Sequence, residues 1–146
     1  MDGEAFFPGF SETFVDGESE RLYARLGGPE DAPPVVLLHG YPQTHAMWHA
    51  VAPALAERFR VVLFDLPGYG ASSIPPDAPD HHTYSKRSMA REVRAAAARL
   101  GYSRFRLVGH DRGARVAYRM ALDAAEAVER LADLDIVPTG ALWRDF

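Results

Sequence analysis

Three short runs of β-branched and aliphatic residues, at 35–38, 61–64 and 105–108, limit the fold of this chain more than any other feature. The first two are apolar throughout and the third is broken only by Arg106, and each stops at His, Asp or Gly. A strand apolar on both sides must be covered on both sides, which is the condition of a parallel sheet sandwiched between helices.

The segments between the runs supply those helices. Residues 85–100 repeat Met89, Val93, Ala97 and Leu100 at helical spacing, place Arg87, Arg91, Arg94 and Arg99 on the other face, and stop at Gly101. A second helix is expected at 43–58, kinked or divided by Pro53, and a third at 112–125. Upstream, 10–15 and 20–26 alternate, so they read as an antiparallel lead-in pair turned at Asp16–Gly17. A last strand is expected at 131–136. The Gly/Pro/acid-rich stretch 27–34 and the Pro/Asp-rich stretch 72–82 read as loops. The class is therefore α/β: a mostly parallel open sheet with helices on both faces and an antiparallel N-terminal strand pair.

Composition narrows the function. At 146 residues, 47% apolar and 25% charged, the chain is one globular domain and not a disordered or fibrous protein. A net charge of −4 argues against nucleic acid or an anionic membrane as partner. With no cysteine, disulfides, thiolate metal sites and a thiol nucleophile are excluded together. The acidic start, Met-Asp-Gly-Glu, is unlike a signal peptide, and no apolar run reaches the ~18 residues of a membrane span. A cytoplasmic protein is expected.

In open α/β sheets, ligands bind beyond the carboxyl ends of the strands. The strand ends here are His39-Gly40-Tyr41-Pro42, Asp65-Leu66-Pro67-Gly68-Tyr69-Gly70, Gly109-His110-Asp111-Arg112-Gly113 and Asp135-Ile136-Val137-Pro138. The third has the spacing of a nucleophile elbow, in which glycines flank a residue thrust out at the head of a helix. That residue is Asp111. A carboxylate there suits displacement at saturated carbon, giving an alkyl-enzyme ester that water then cleaves. Taken alone, Asp111 reads equally as a helix N-cap.

These motifs, in this order and after successive strands, resemble the α/β-hydrolase family, in its branch with an Asp nucleophile: the dehalogenases and epoxide hydrolases. The stretches 39–49 (HGYPQTHAMWH), 65–70 and 109–123 (GHDRGARVAYRMALD) are most similar to fluoroacetate dehalogenases. The resemblance implies that Asp111 is the nucleophile and that the N–H groups of Tyr41 and Arg112 form the oxyanion hole. It further implies that Asp135 orients a histidine. Arg112 and Arg115, three apart at a helix start, can share a face and hold a substrate carboxylate, where haloalkane dehalogenases carry an aromatic after the nucleophile. Ordinary surface salt bridging is the alternative for both, and is the expected role of Arg119 and the arginines at 87–99.

The implied substrate is a small 2-haloacid such as haloacetate, turned over without metal or organic cofactor. An epoxide hydrolase, or a non-catalytic fragment binding small anions or a partner, stays open beside it. His45 and His49 lie four apart but lack a third metal ligand, so a solvated helix face is expected for them, and packing or hydrogen bonding in the core for His110. The family pattern also asks for a helical cap and a general-base histidine after the last strands, whereas no histidine follows His110. The chain is accordingly expected to be residues 1–146 of a single hydrolase core domain, its N-terminal part, with cap and C-terminal strands absent and a homodimer open for the full-length form. Asp133, two residues before Asp135, is unexpected in a central strand, because two buried carboxylates so close would be costly.

Overall fold

The computed structural model describes residues 5–144. Strands β1 (Ser11–Asp16) and β2 (Arg21–Gly27) form the antiparallel lead-in, closed by the Gly17 N–H donating to Glu20 O at 2.7 Å. Strands β3 (Pro34–Leu38), β4 (Arg60–Phe64), β5 (Phe105–His110) and β6 (Val128–Leu134) run parallel to one another. One six-stranded sheet results, in the order β1-β2-β4-β3-β5-β6, with β2 antiparallel to β4.

The apolar runs divide by parity, as a pleated strand requires. Val35, Leu37, Val61 and Leu63 face a small core completed by Phe7, Trp48 and Ala52. Val36, Leu38, Val62 and Phe64 face the larger core, built with Met89, Val93 and Ala97 of α2 (Lys86–Arg99) and Val116, Ala117 and Met120 of α3 (Arg112–Asp123). Burying each of the larger side chains contributes about 1.5–3 kcal/mol. Helix α2 starts where expected, with the Ser85 side chain accepting from the Ser88 N–H.

Two expectations shift. The stretch 43–58 is not one helix: Pro53 lies in the first turn of α1 (Ala52–Ala56), and a separate 3₁₀ turn, His45–Trp48, precedes it. Proline tolerates the first helical turn, so it starts the short helix and does not kink a long one. The last strand begins three residues earlier than 131 and ends at Leu134, leaving Asp135 just beyond it with φ 55°. Asp133 is accommodated because β6 is the sheet's edge among the described residues and residues 129–134 are exposed; Leu131 is 39% exposed. Partial desolvation still raises the Asp133 pKa. Among the described residues, no helix is long and apolar enough to cross a membrane.

Candidate active site

Both α2 and α3 begin at the carboxyl end of the parallel strands, and α3 follows β5 with one residue between them. That residue is Asp111, held at φ 52°, ψ −116°. Such a backbone costs on the order of 1–3 kcal/mol and persists only where its surroundings enforce it. Here the glycines enforce it. A Cβ on Gly113 would overlap the backbone oxygens of His39 and Leu38, and one on Gly109 would stand 2.5 Å from the Ala114 Cα. The elbow therefore packs backbone against backbone and projects Asp111 outward.

The Asp111 carboxylate accepts the Tyr41 N–H on Oδ2 at 3.0 Å, and the Arg112 N–H faces the same group. Desolvation works to raise its pKa, but these two donors, with the nearby charges of His110 and Arg112, outweigh it and hold Asp111 below the ordinary carboxylate value. A carboxylate that is to attack carbon must be ionised, and the lowered pKa of Asp111 favours that form. Gly40 permits the approach of strand end to elbow, since a Cβ there would meet the Asp111 Cβ at 2.7 Å.

Arg112 lays its guanidinium over the Tyr41 ring at 4.4 Å and donates to the Tyr69 hydroxyl at 3.4 Å. Arg115 donates to Thr139 Oγ1 at 2.7 Å. The contrast with other arginines is informative: Arg87, Arg91, Arg94, Arg106 and Arg119 each meet a carboxylate. Salt bridging is thus the role of Arg119 and of three arginines on α2, while the hydrogen-bond partners of Arg112 and Arg115 are neutral hydroxyls. Lys86, the chain's sole lysine, was not singled out in the sequence. It is half-buried at the start of α2, and its pKa is lowered by burial and then by Arg112 and Arg115, with Asp111 opposing. Lys86 thus feels the repulsion of both arginines, offset in part by Asp111.

Asp135 lies 89% exposed, its Oδ2 3.8 Å from His110 Nε2, while His110 Nδ1 is buried without a hydrogen-bond partner. Among the described residues, no group of three His, Cys, Asp or Glu side chains could hold a metal ion. The expected solvated face holds for His49 but not for His45, whose Nδ1 is bonded to buried Asp65 at 2.8 Å and whose Nε2 accepts from Arg25 Nε at 3.2 Å. His39, fully buried, accepts the Leu66 N–H on Nε2 at 3.0 Å, so its Nδ1 carries the proton toward Gly40 O. It fastens the ends of β3 and β4 together.

The sequence profile of the α/β hydrolase fold matches residues 33–146. The chain belongs to that family. It is 48% identical over 139 residues to a fluoroacetate dehalogenase of Burkholderia sp, covering 95% of this chain and 45% of that relative. It is 45% identical to a soluble epoxide hydrolase of Corynebacterium sp. (strain C12), over 72% of this chain and 35% of the relative. Among solved structures, a protein from Nostoc sp PCC 7120 described as an α/β hydrolase superposes with a TM-score of 0.91 at 50% identity, covering 97% of this chain and 47% of that one. The epoxide hydrolase CorEH, solved without ligand, gives 0.80 at 38% identity, covering 88% and 43%. This α/β-hydrolase chain spans about half the length of the relatives it matches.

Proposed function

We propose that this sequence belongs to a hydrolytic dehalogenase of small 2-haloacids, with Asp111 as nucleophile. The observation that carries the reading is the pair Arg112 and Arg115, one helical turn apart beside an ionised carboxylate and bonded to hydroxyls, not to acids. Their spare N–H donors suit a substrate carboxylate, which would set its α-carbon against Asp111. One carboxylate oxygen stays on the Tyr41 N–H while the other attacks. The carbon–halogen bond breaks as the ester bond forms, and halide leaves with the electron pair. Water then adds to the ester carbonyl. Its oxygen remains on Asp111, the 2-hydroxyacid departs, and the proton passes to a base.

By resemblance that base is a histidine oriented by Asp135, and in this chain none follows His110. The chain alone should therefore stop at the ester. Incubated with excess fluoroacetate, it should release one equivalent of fluoride and carry the adduct on Asp111, located by mass spectrometry of peptides. No fluoride and no adduct would overturn the reading. Sustained release would show that a base lies within the chain, with His110, 3.8 Å from Asp135, the first group to replace.

The second reading, an epoxide hydrolase with the same nucleophile, is supported by the similarity to the Corynebacterium enzyme. It leaves the two arginines without a task. Trapping the adduct with an uncharged epoxide more readily than with fluoroacetate would favour it.

A further inference from the structure

Beyond β6 the chain turns through Asp135 and enters α4 (Thr139–Leu142), whose first residue lies against α3. Thr139 Oγ1 accepts from Arg115 Nη1 at 2.7 Å and shares a hydrogen bond with the Tyr118 hydroxyl. The Thr139 N–H donates to that same hydroxyl at 3.2 Å. Arg115 and Tyr118 are three apart on α3, on one face, and all three residues are half-buried.

We infer that Thr139, locked by Tyr118, is a positioning residue for Arg115, so that the segment after β6 sets the anion affinity of the site. The inference rests on the proposed role of Arg115 as a carboxylate ligand. Its physical basis is the acceptor's chemistry. An arginine side chain is long and loses much rotamer freedom when it binds, so fixing one N–H in advance lowers that loss. A carboxylate could fix it as well, but would neutralise the cation and compete with the ligand, as Asp123 and Glu129 do for Arg119 and Arg106. A hydroxyl fixes the guanidinium plane and leaves its charge and its other donors available. Tyr118 holds Thr139 through both its side chain and its backbone N–H, which restricts the Thr139 rotamer.

Two measurements on the 146-residue chain test this. In ¹⁵N-arginine NMR spectra, the Arg115 guanidinium, assigned with Arg115→Leu, should show slowed rotation. Thr139→Val and Tyr118→Phe should release it, and Thr139→Ser should restore it. In ¹⁹F NMR titrations with fluoroacetate, run in the Asp111→Asn background so that no adduct forms, T139V should weaken binding about tenfold, the low end for one lost hydrogen bond to a charged group, with T139S within about twofold of the parent. Well-dispersed amide spectra identify the variants that fold, and Y118F serves if T139V does not. If R115L weakens binding but T139V and Y118F do not, the positioning role is overturned and the proposed function stands. If R115L also binds normally, the carboxylate role of Arg115 falls and the inference falls with it.

Discussion

Two aspartates follow the parallel strands on either side of β3, Asp65 after β4 and Asp111 after β5, and both accept backbone N–H groups. Their surroundings differ. Asp65 is 1% exposed and takes the His45 N–H at 2.7 Å, His45 Nδ1 at 2.8 Å and the Ala71 N–H at 3.0 Å. Its loop is drawn close, so that a Cβ on Gly70 would overlap the carboxylate. Behind His45, Arg25 continues the chain of bonds to Glu12. Burial works to raise the Asp65 pKa, but the side chain and N–H of His45 and the N–H of Ala71 together lower it. Asp111 has fewer donors, an uncommon backbone conformation and surplus positive charge around it. A carboxylate whose acceptor sites are filled clamps the fold. One held at an elbow, partly wet and with fewer donors, is the one the proposed mechanism uses as nucleophile.

The largest effect that could break this comparison is an exchange of roles. Asp111→Asn should abolish adduct formation with fluoroacetate while its unfolding free energy in urea stays within about 0.5 kcal/mol of wild type. Asp65→Asn should cost about 2–4 kcal/mol, because an amide turns donors toward buried N–H groups that need an acceptor. Equal losses of stability in the two variants would show that both aspartates are clamps.

Acid sharpens it further. Both carboxyls have depressed folded-state pKa values, so the stability each contributes is present above the unfolded value, about 3.9, and is lost as pH falls through the folded one. The unfolded chain binds more protons in that window, which makes stability rise with pH there. Urea midpoints followed from pH 6 down to pH 2 should therefore fall in the wild type. Asp65→Asn should flatten that fall more than Asp111→Asn, since the more enclosed carboxylate has more donors to lose. The reverse order would place the acid-sensitive clamp at the elbow.

Much of this was legible in the sequence. The first three parallel strands and both long helices follow from largely apolar runs and helical spacing, and the elbow glycines from the needs of a tight turn. Asp111, Arg112 and Tyr41 come together through adjacent strand ends, which the order of the motifs already implied. What escaped has a common cause. Asp65 and His45 meet across twenty residues, and Thr139 meets Arg115 and Tyr118 across more, with no periodicity linking them. An isolated threonine or histidine carries no pattern of its own until the fold supplies its neighbour. Lys86 is the exception. As the only lysine beside fifteen arginines, it offered a compositional signal at the head of α2.

That lysine gives the smallest effect and tests whether positive charge is in surplus on the Asp111 side alone. Its pKa is lowered by burial and by Arg112 and Arg115, so below the folded value the charged Lys86 weakens the empty fold. The sign follows from proton counting. Between the folded pKa and the unfolded value near 10.4, the unfolded chain holds more protons, and stability gains with pH. Lys86→Met should thus raise the Tm of the ligand-free chain at pH 7 by a few degrees at most, a gain that shrinks toward pH 11 as wild-type Lys86 discharges. The same substitution should weaken fluoroacetate binding, because the anion relieves the repulsion that the variant no longer has. Thermal melts with and without acetate, an unreactive carboxylate in place of fluoroacetate, at the two pH values measure both halves. A variant that is less stable at pH 7 and binds as wild type would mean that Lys86 acts by packing and that the cations beside Asp111 are already balanced.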